Sequence, residues 1–542
     1  MLQQVRGKHL LILVAGAVAL LLAMACGPSA QAPPQEATGG SGVASGPVGK
    51  ATVVFIPMSS GNWDPARTEG AADFPLNEAM YNRLTETERD SMKLVPGIAE
   101  SWSVSPDGLT YTFKIRKGVK FHNGDELTPE DVVFSVNRRH KLALPASQAG
   151  IERLLESVEA KGDSVVFRVK VPDWSALNTL SGYGTTVPKK YVELVGDEGF
   201  GKAPVGTGPF KFVSGSKQEF LKLEAVDYEH FLWQPGVKQL EYRIVPEEST
   251  RLAMVQAGEA DLAQVSVNSL RAIKADSRLR EIKASVINGL RLYTWGQEDP
   301  QSPMSKLEVR QALSLAIDRQ GIAEGIYQGY AQPVATGYWN PAEPGWPEWG
   351  FDYTKQDLAK AKELLAKAGY PGGKGLPKFT FHATEYGGAP LWTQAAPAIA
   401  AEWQKLGIQV EIRTWEWGVF QQTQRAGTWG PNAISVATAN STGERGYIYI
   451  DLHSSGVSKL ATGITKGAHP ELAALVDQWL QEMDPQKREA LQKKILLNAR
   501  DNLPDIPVVA INAMWAAGPR LLEYIPRKTH SIGNMYTIKV KP

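Results

Sequence analysis

From residue 109 the chain alternates, with Leu109, Tyr111, Phe113 and Ile115 on one side and Thr110, Thr112 and Lys114 on the other. That period is the mark of a half-buried strand. The turn residues "HNGD" follow, and in "TPEDVVFSV" the spacing lengthens to that of a helix. Thr128 is the expected N-cap, Pro129 takes the first helical position, and Glu130 and Asp131 lie in the first turn, where Asp131 completes a capping box. In "VRQALSLAIDR", Val309, Ala312, Leu313, Ala316 and Ile317 form an apolar helical stripe, with the charged residues expected to point away. "TKQDLAKAKELLAKAGY" predicts a helix with Thr354 as N-cap, Asp357 three residues on and Gly369 at its C-terminal end. The strand "KFTFHA", the helix "WTQAAPAIAAEWQKLG" with Trp403 in the core, and the strand "IQVEIRTW" come next. Strand and helix therefore alternate as in an α/β layer. "HPELAALVDQWLQEM" and "DPQKREALQKKILLNARDNLP" read as two consecutive amphipathic helices, the second capped by Asp484 with Pro485 at its first position.

The N-terminus follows a different plan. Arg6 and Lys8 precede an apolar run from Leu10 to Ala25 that ends in small residues before Cys26. This is the layout of a secretory signal, assigned to residues 1–25. "LLAMAC" resembles a bacterial lipoprotein signal, although Ala23 stands three positions before the cysteine where leucine is usual. The resemblance implies that Cys26 becomes the lipidated first residue. An uncleaved anchor is the alternative, since sixteen apolar residues lie close to the lower limit for a membrane span. Either way the remainder is expected outside the cytoplasm. Residues 26–50 are rich in Gly, Ser, Pro and Ala and are expected to form a flexible tether, after which "ATVVFIP" reads as a buried strand.

Composition narrows the function. With 542 residues, two or three lobes are expected. A net charge of +1 leaves no footprint for a polyanion, so no nucleic-acid partner is expected. Cys26 is the only cysteine, which excludes an intrachain disulfide and a thiolate cluster. The 15 tryptophans, in contrast, are numerous enough to need a role.

The densest chemistry is "FHNGDELTPEDVVFSV", residues 121–136. Glu130 and Asp131 are explained by helix capping, and His122, Asp125 and Glu126 lie in a tight turn without a second histidine at ligand spacing. No metal and no cofactor are expected. The chain has no Gly-x-Ser-x-Gly, Walker A, His-Glu-x-x-His or dinucleotide-binding glycine motif. "VGTGPF" lacks the lysine and helix start of a phosphate loop and reads as a tight turn where domains meet. A secreted hydrolase with carboxylates far apart in sequence remains an alternative.

"LVPGIAESWSVSPDGLTYTFKIRKGVKFHNGDELTPEDVVFSVNR", residues 94–138, closely resembles the signature region of the family 5 extracellular solute-binding proteins, the dipeptide, oligopeptide and nickel class that feeds ABC importers. "PVGTGPFKF", "VRQALSLAIDRQGIAEGIYQGYAQPV", "AKELLAKAGYP" and "KLGIQVEI" follow in the family's order. The resemblance implies an α/β periplasmic-binding-protein type II fold with two hinged lobes and an additional inserted domain. On it, residues 51–85, 206–290 and 514–542 build lobe I, 86–205 the inserted domain and 291–513 lobe II. It further implies a monomer with no catalytic residue, whose partners are a small-molecule or peptide ligand, ABC permease subunits and, through lipid, the membrane.

Peptide-binding members carry a Gly-Trp pair and then an aspartate for the peptide's amino group. The corresponding stretch here, "RAGTWGPNAISVATANSTGERGYIYIDLHSSG", has neither the pair nor an aspartate between Trp429 and Asp451. An ammonium group buried without an anion is costly, which weakens the case for a free peptide amino terminus. Glu444 or Asn440 could substitute. "TWEWGVF" is expected to place Trp415 and Trp417 on one face of a strand end, and Trp417 matches a cavity tryptophan of peptide-binding relatives. The ligand-binding candidates are Trp63, Asp64, Trp295, Trp392, Trp417, Asn440, Glu444 and Trp515. A peptide or related small solute is the expected ligand. An oligosaccharide is the alternative, which the missing aspartate and abundant indoles would suit.

Overall fold

The computed structural model describes residues 47, 49–56, 63–67, 74–88, 93–143, 151–216, 219–334, 355–385, 390–440, 468–526, 533 and 535–541. The expected signal, most of the tether, Cys26 and Glu444 lie outside the described residues. Among the described residues, no helix is long and apolar enough to cross a membrane.

Eleven described strands join in one sheet. Its order is Val410–Trp415, Phe379–Thr384, Ala433–Asn440, Arg280–Thr294, Ile506–Ala517, Leu262–Val265, Lys50–Phe55, Gln239–Ile244, Phe220–Ala225 and Phe210–Ser216, with Ala331–Pro333 also paired to Ile506–Ala517. "ATVVF" is central, paired in parallel with Gln239–Ile244 and Leu262–Val265, which is why every residue of it is buried.

Two long antiparallel strands connect two lobes. At one end Lys283 faces Met514, and Leu262–Val265 flanks them in the first lobe. At the other end Leu290 and Leu292 face Val509 and Ile506, and Ala433–Asn440 flanks them in the second. The ladder shifts register twice between Lys283 and Asn288. Such irregularities bend a strand and weaken local pairing, so the crossing is the deformable part of the sheet.

A separate four-stranded antiparallel sheet, Ala99–Val104, Thr110–Ile115, Ser164–Val169 and Leu155–Lys161, carries the inserted domain. Tyr111, Phe113 and Ile115 enter its core as the alternation predicts. Thr128 and Asp131 form the expected reciprocal capping box at the start of the helix Pro129–Leu142. The domain is fixed to the first lobe through "VGTGPF". His122 Nε2 donates to Gly208 O at 3.0 Å, and His122 Nδ1 accepts from Gly206 N at 3.2 Å. From the lobe side, His230 Nε2 donates to Thr207 O at 2.8 Å. A Cβ at Gly208 would lie 2.5 Å from Ala79 O, so glycine is required for this backbone approach.

Three expectations are corrected. The helix Leu358–Lys367 is capped by Asp357, whose side chain accepts from Lys360 N at 2.8 Å, and the proposed cap Thr354 lies outside the described residues. Arg310 and Arg319 do not point away but are 4% and 1% exposed. Each guanidinium has several donors and meets carbonyls: Arg310 reaches Leu503 O and Asn502 O, and Arg319 reaches Pro507 O and Ser314 O. Trp415 ends a strand, whereas Trp417 begins the helix Trp417–Ala426 with Glu416 as its cap, so they do not share a strand face.

Candidate ligand cleft at the crossing strands

At the crossing the lobes enclose a recess with about 400 Å³ of space, part of it open to solvent. The first lobe contributes the strand end Gln264–Val267, and the crossing strand contributes Ile511–Met514. From the second lobe come Tyr327, Tyr330, Pro390 and Leu391. None of these lining residues carries a formal charge.

Local sequence explains each wall. Ser266 caps a short turn by accepting from Asn268 N, and Glu248 Oε1 holds the hydroxyls of Ser266 and Ser269 at 3.0 and 2.5 Å. Leu391 takes a left-handed conformation, φ 66°, immediately before the helix Trp392–Gln404. A leucine there is strained, and such strain persists where surrounding structure imposes it. Tyr327 donates to Pro390 O at 2.8 Å, which pins the loop entering that helix.

The lobes also touch beside the recess. Gln328 Nε2 donates to Val267 O at 3.1 Å, and Tyr330 OH donates to Glu281 Oε1 at 2.7 Å. Asn512 ties the crossing strand in place by donating from its side chain to Ala284 O at 3.1 Å and from its backbone to Tyr330 O at 2.9 Å. Burial, followed by the hydrogen bond to Glu281, pushes the Tyr330 hydroxyl up to about 12, and burial raises Tyr327 further. Both phenols are therefore neutral hydrogen-bonding groups at physiological pH. The chemistry on offer is apolar contact with neutral polar groups, which suits holding a molecule.

None of the described sequence candidates forms part of the wall of this recess. Trp63 is buried under Gly215, and its carbonyl accepts from Tyr81 OH at 2.9 Å. The Asp64 carboxylate is gripped by Arg138 at 2.8 and 2.5 Å. Trp295 lies in a small cluster with Trp429, edge to face at 5.5 Å, and donates to Ser435 Oγ at 3.0 Å. Trp392 and Trp515 each follow a recess residue, Leu391 and Met514, but both indoles are fully buried in cores. Trp417 is half-buried and stacks on Phe420 at 6.0 Å. Asn440 ends its strand opposite Asn288, near the crossing. Most of these rings serve packing because a tryptophan gains most when its large area is covered.

Sequence reasoning missed Gln264, Ser266, Tyr327, Tyr330, Leu391 and Asn512. They lie in four separated segments with no common spacing. Among the described residues, no group of His, Cys, Asp and Glu could hold a metal. His122, Asp125 and Glu126 instead grip backbone, pair with Asn123 and accept from Gly118 N, respectively.

Comparison with known proteins gives the same architecture. The chain is 23% identical to the oligopeptide-binding protein AppA of Bacillus subtilis, solved in complex with a nonapeptide, with a TM-score of 0.78 over 92% of this chain and 100% of that one. It is 28% identical to heme-binding protein A of Haemophilus influenzae over 84% of this chain and 86% of the relative. It is 31% identical to di/tripeptide-binding protein 1 of Pseudomonas aeruginosa over 68% of this chain and 72% of the relative. Residues 93–458 match the description "Bacterial extracellular solute-binding proteins, family 5 Middle". A periplasmic-binding-protein type II fold, an uncharged recess where two strands join its lobes, and this match along most of the chain place the protein in family 5 of the extracellular solute-binding proteins, a binding protein and not an enzyme.

Proposed function

We propose that this protein captures a peptide or related small solute outside the cytoplasmic membrane and delivers it to the permease of an ABC importer. The observation that carries this reading is the recess, built from both lobes beside the crossing strands, where domain closure would surround a ligand. The family and the peptide-binding relatives supply the ligand class. The uncharged lining suits a neutral part of the ligand, such as peptide backbone or an apolar side chain. Lipid on Cys26, with the tether after it, would keep the protein near its permease.

The oligosaccharide alternative rests on the missing aspartate and on the abundant indoles. Trp392 and Trp515 are buried in cores and Trp295 is 5% exposed, so they offer little surface to a sugar. The experiment is native and then denaturing mass spectrometry of protein expressed without residues 1–46. Co-purifying peptides would support the reading, and a recovered oligosaccharide would overturn it.

A further inference from the structure

The inserted domain also touches the second lobe directly. Trp174, in the loop leading to the helix Ala176–Tyr183, packs edge to face on Trp479 with ring centres 4.9 Å apart. Its backbone N donates to Leu480 O at 3.0 Å. The guanidinium of Arg488 lies 4.8 Å from the Trp174 ring centre, held there by its bonds to the carbonyls of Glu482 and Met483 at 3.1 and 3.2 Å. Trp479 and Leu480 belong to the helix Pro470–Gln481, and Arg488 to its partner Pro485–Asn502. The two helices form a hairpin with its own apolar core.

Each half of this contact is fixed to a different lobe. Asp173 sets the Trp174 loop, because its carboxylate accepts from Arg153 at 2.8 Å and from Ser175 N at 2.9 Å while its carbonyl accepts from Tyr111 OH at 3.0 Å. That domain is tied to the first lobe through His122 and the Asp64–Arg138 pair. The helical hairpin is tied to the second lobe, where Arg310 reaches its terminal carbonyls and His469 Nε2 bonds Gln297 Oε1 at 2.7 Å.

We infer that Trp174, seated against Trp479, Leu480 and Arg488, is a clasp that holds the two lobes in their closed arrangement and so sets ligand affinity without touching the ligand. The inference builds on the binding function proposed above. Rotation about the crossing strands must part this contact, since it joins bodies fixed to opposite lobes. Its composition suits a reversible contact. Both indole N–H groups, of Trp174 and Trp479, are buried without a partner, and an unmet donor offsets part of what the ring contact contributes. A ligand's apparent affinity scales with the fraction of protein in the competent form, so weakening the clasp lowers affinity without altering preference among ligands.

The test uses protein without residues 1–46 and two variants, Trp174→Ala and Met483→Asp. Met483 is 39% exposed beside Gly108 and Pro172, and a carboxylate there would face the turn that contains Asp107, so this second variant weakens the contact without emptying a core. Circular dichroism melting checks that each is folded. Small-angle X-ray scattering and calorimetric titration with trialanine are the readouts. The expected result is a larger radius of gyration in both variants and trialanine binding weakened on the order of tenfold. Scattering curves that superimpose on the unsubstituted protein would overturn the clasp. If no form binds trialanine, the peptide reading falls, while scattering alone decides the clasp.

Discussion

Arg138 grips Asp64 at two points, 2.8 and 2.5 Å, with Asp64 fully buried and Arg138 7% exposed. Arg138 also donates to Asp197 at 2.8 Å, so one side chain joins the early loop to two helices. Removing one partner of such a pair leaves a buried charge uncompensated, which costs about 3–5 kcal/mol. Arg138→Met should therefore destabilise by that order in denaturant unfolding. The double variant Arg138→Met with Asp64→Leu should recover much of the loss. A double variant no better than the single one would show that the pair is not the source.

Acid should loosen the junction of the inserted domain. Burial pulls the His122 and His230 imidazoles down to about 4 from 6.5. In each, Nδ1 accepts a backbone N–H and Nε2 donates to a carbonyl, an arrangement that only the neutral ring can make. The folded value lies below the unfolded one. The stabilisation is therefore full above pH 6.5 and is lost as pH falls toward 4. For the 2%-exposed His230 the shift corresponds to roughly 3 kcal/mol, and for half-buried His122 to less. Thermal melting at pH 7 and pH 4.5 checks this, with a flat profile as the contrary result.

Gly208→Ala places a methyl group against the carbonyl of Ala79. Forcing such an overlap costs about 1–3 kcal/mol. The expected outcome is a lower melting temperature and faster limited proteolysis at the borders of the inserted domain. Gly124, where nothing lies within 4 Å of an added Cβ but φ is +91°, is the control for backbone strain without overlap.

Tyr330 and Glu281 should couple across the crossing. Each single variant, Tyr330→Phe and Glu281→Gln, weakens the 2.7 Å bond, and the double variant should lose less than their sum. A coupling of about 1.5–3 kcal/mol in melting experiments is expected for a hydroxyl on a carboxylate. Strict additivity would mean that the bond does not hold the lobes.

Local pattern made much of the fold legible. Alternation gave the strand Thr110–Ile115, and cap residues gave Pro129–Leu142 and Pro485–Asn502, because periodicity and capping are decided within a few residues. Arg310 was misread because what buries it includes carbonyls near 502, almost two hundred positions away. The recess was illegible for the same reason. Gln264, Tyr327, Leu391 and Asn512 meet only after the sheet has assembled, and no spacing between them announces the meeting. Trp392 and Trp515 stood out by residue type, yet apolar burial places them behind the wall.

The sheet order has a consequence for when this chain can fold. Lys50–Phe55 sits between strands that follow it by about two hundred residues, and Thr52 N is capped by Asp261 at a separation of 209. Next to Leu262–Val265 comes Ile506–Ala517, and Arg520 reaches back to Lys50 O across 470 positions. Such non-local pairing delays structure until its last member is present. A chain stopped before residue 506 lacks the strand that both lobes share. An unfinished chain therefore lacks the completed main sheet, which closes only once the C-terminal strand arrives.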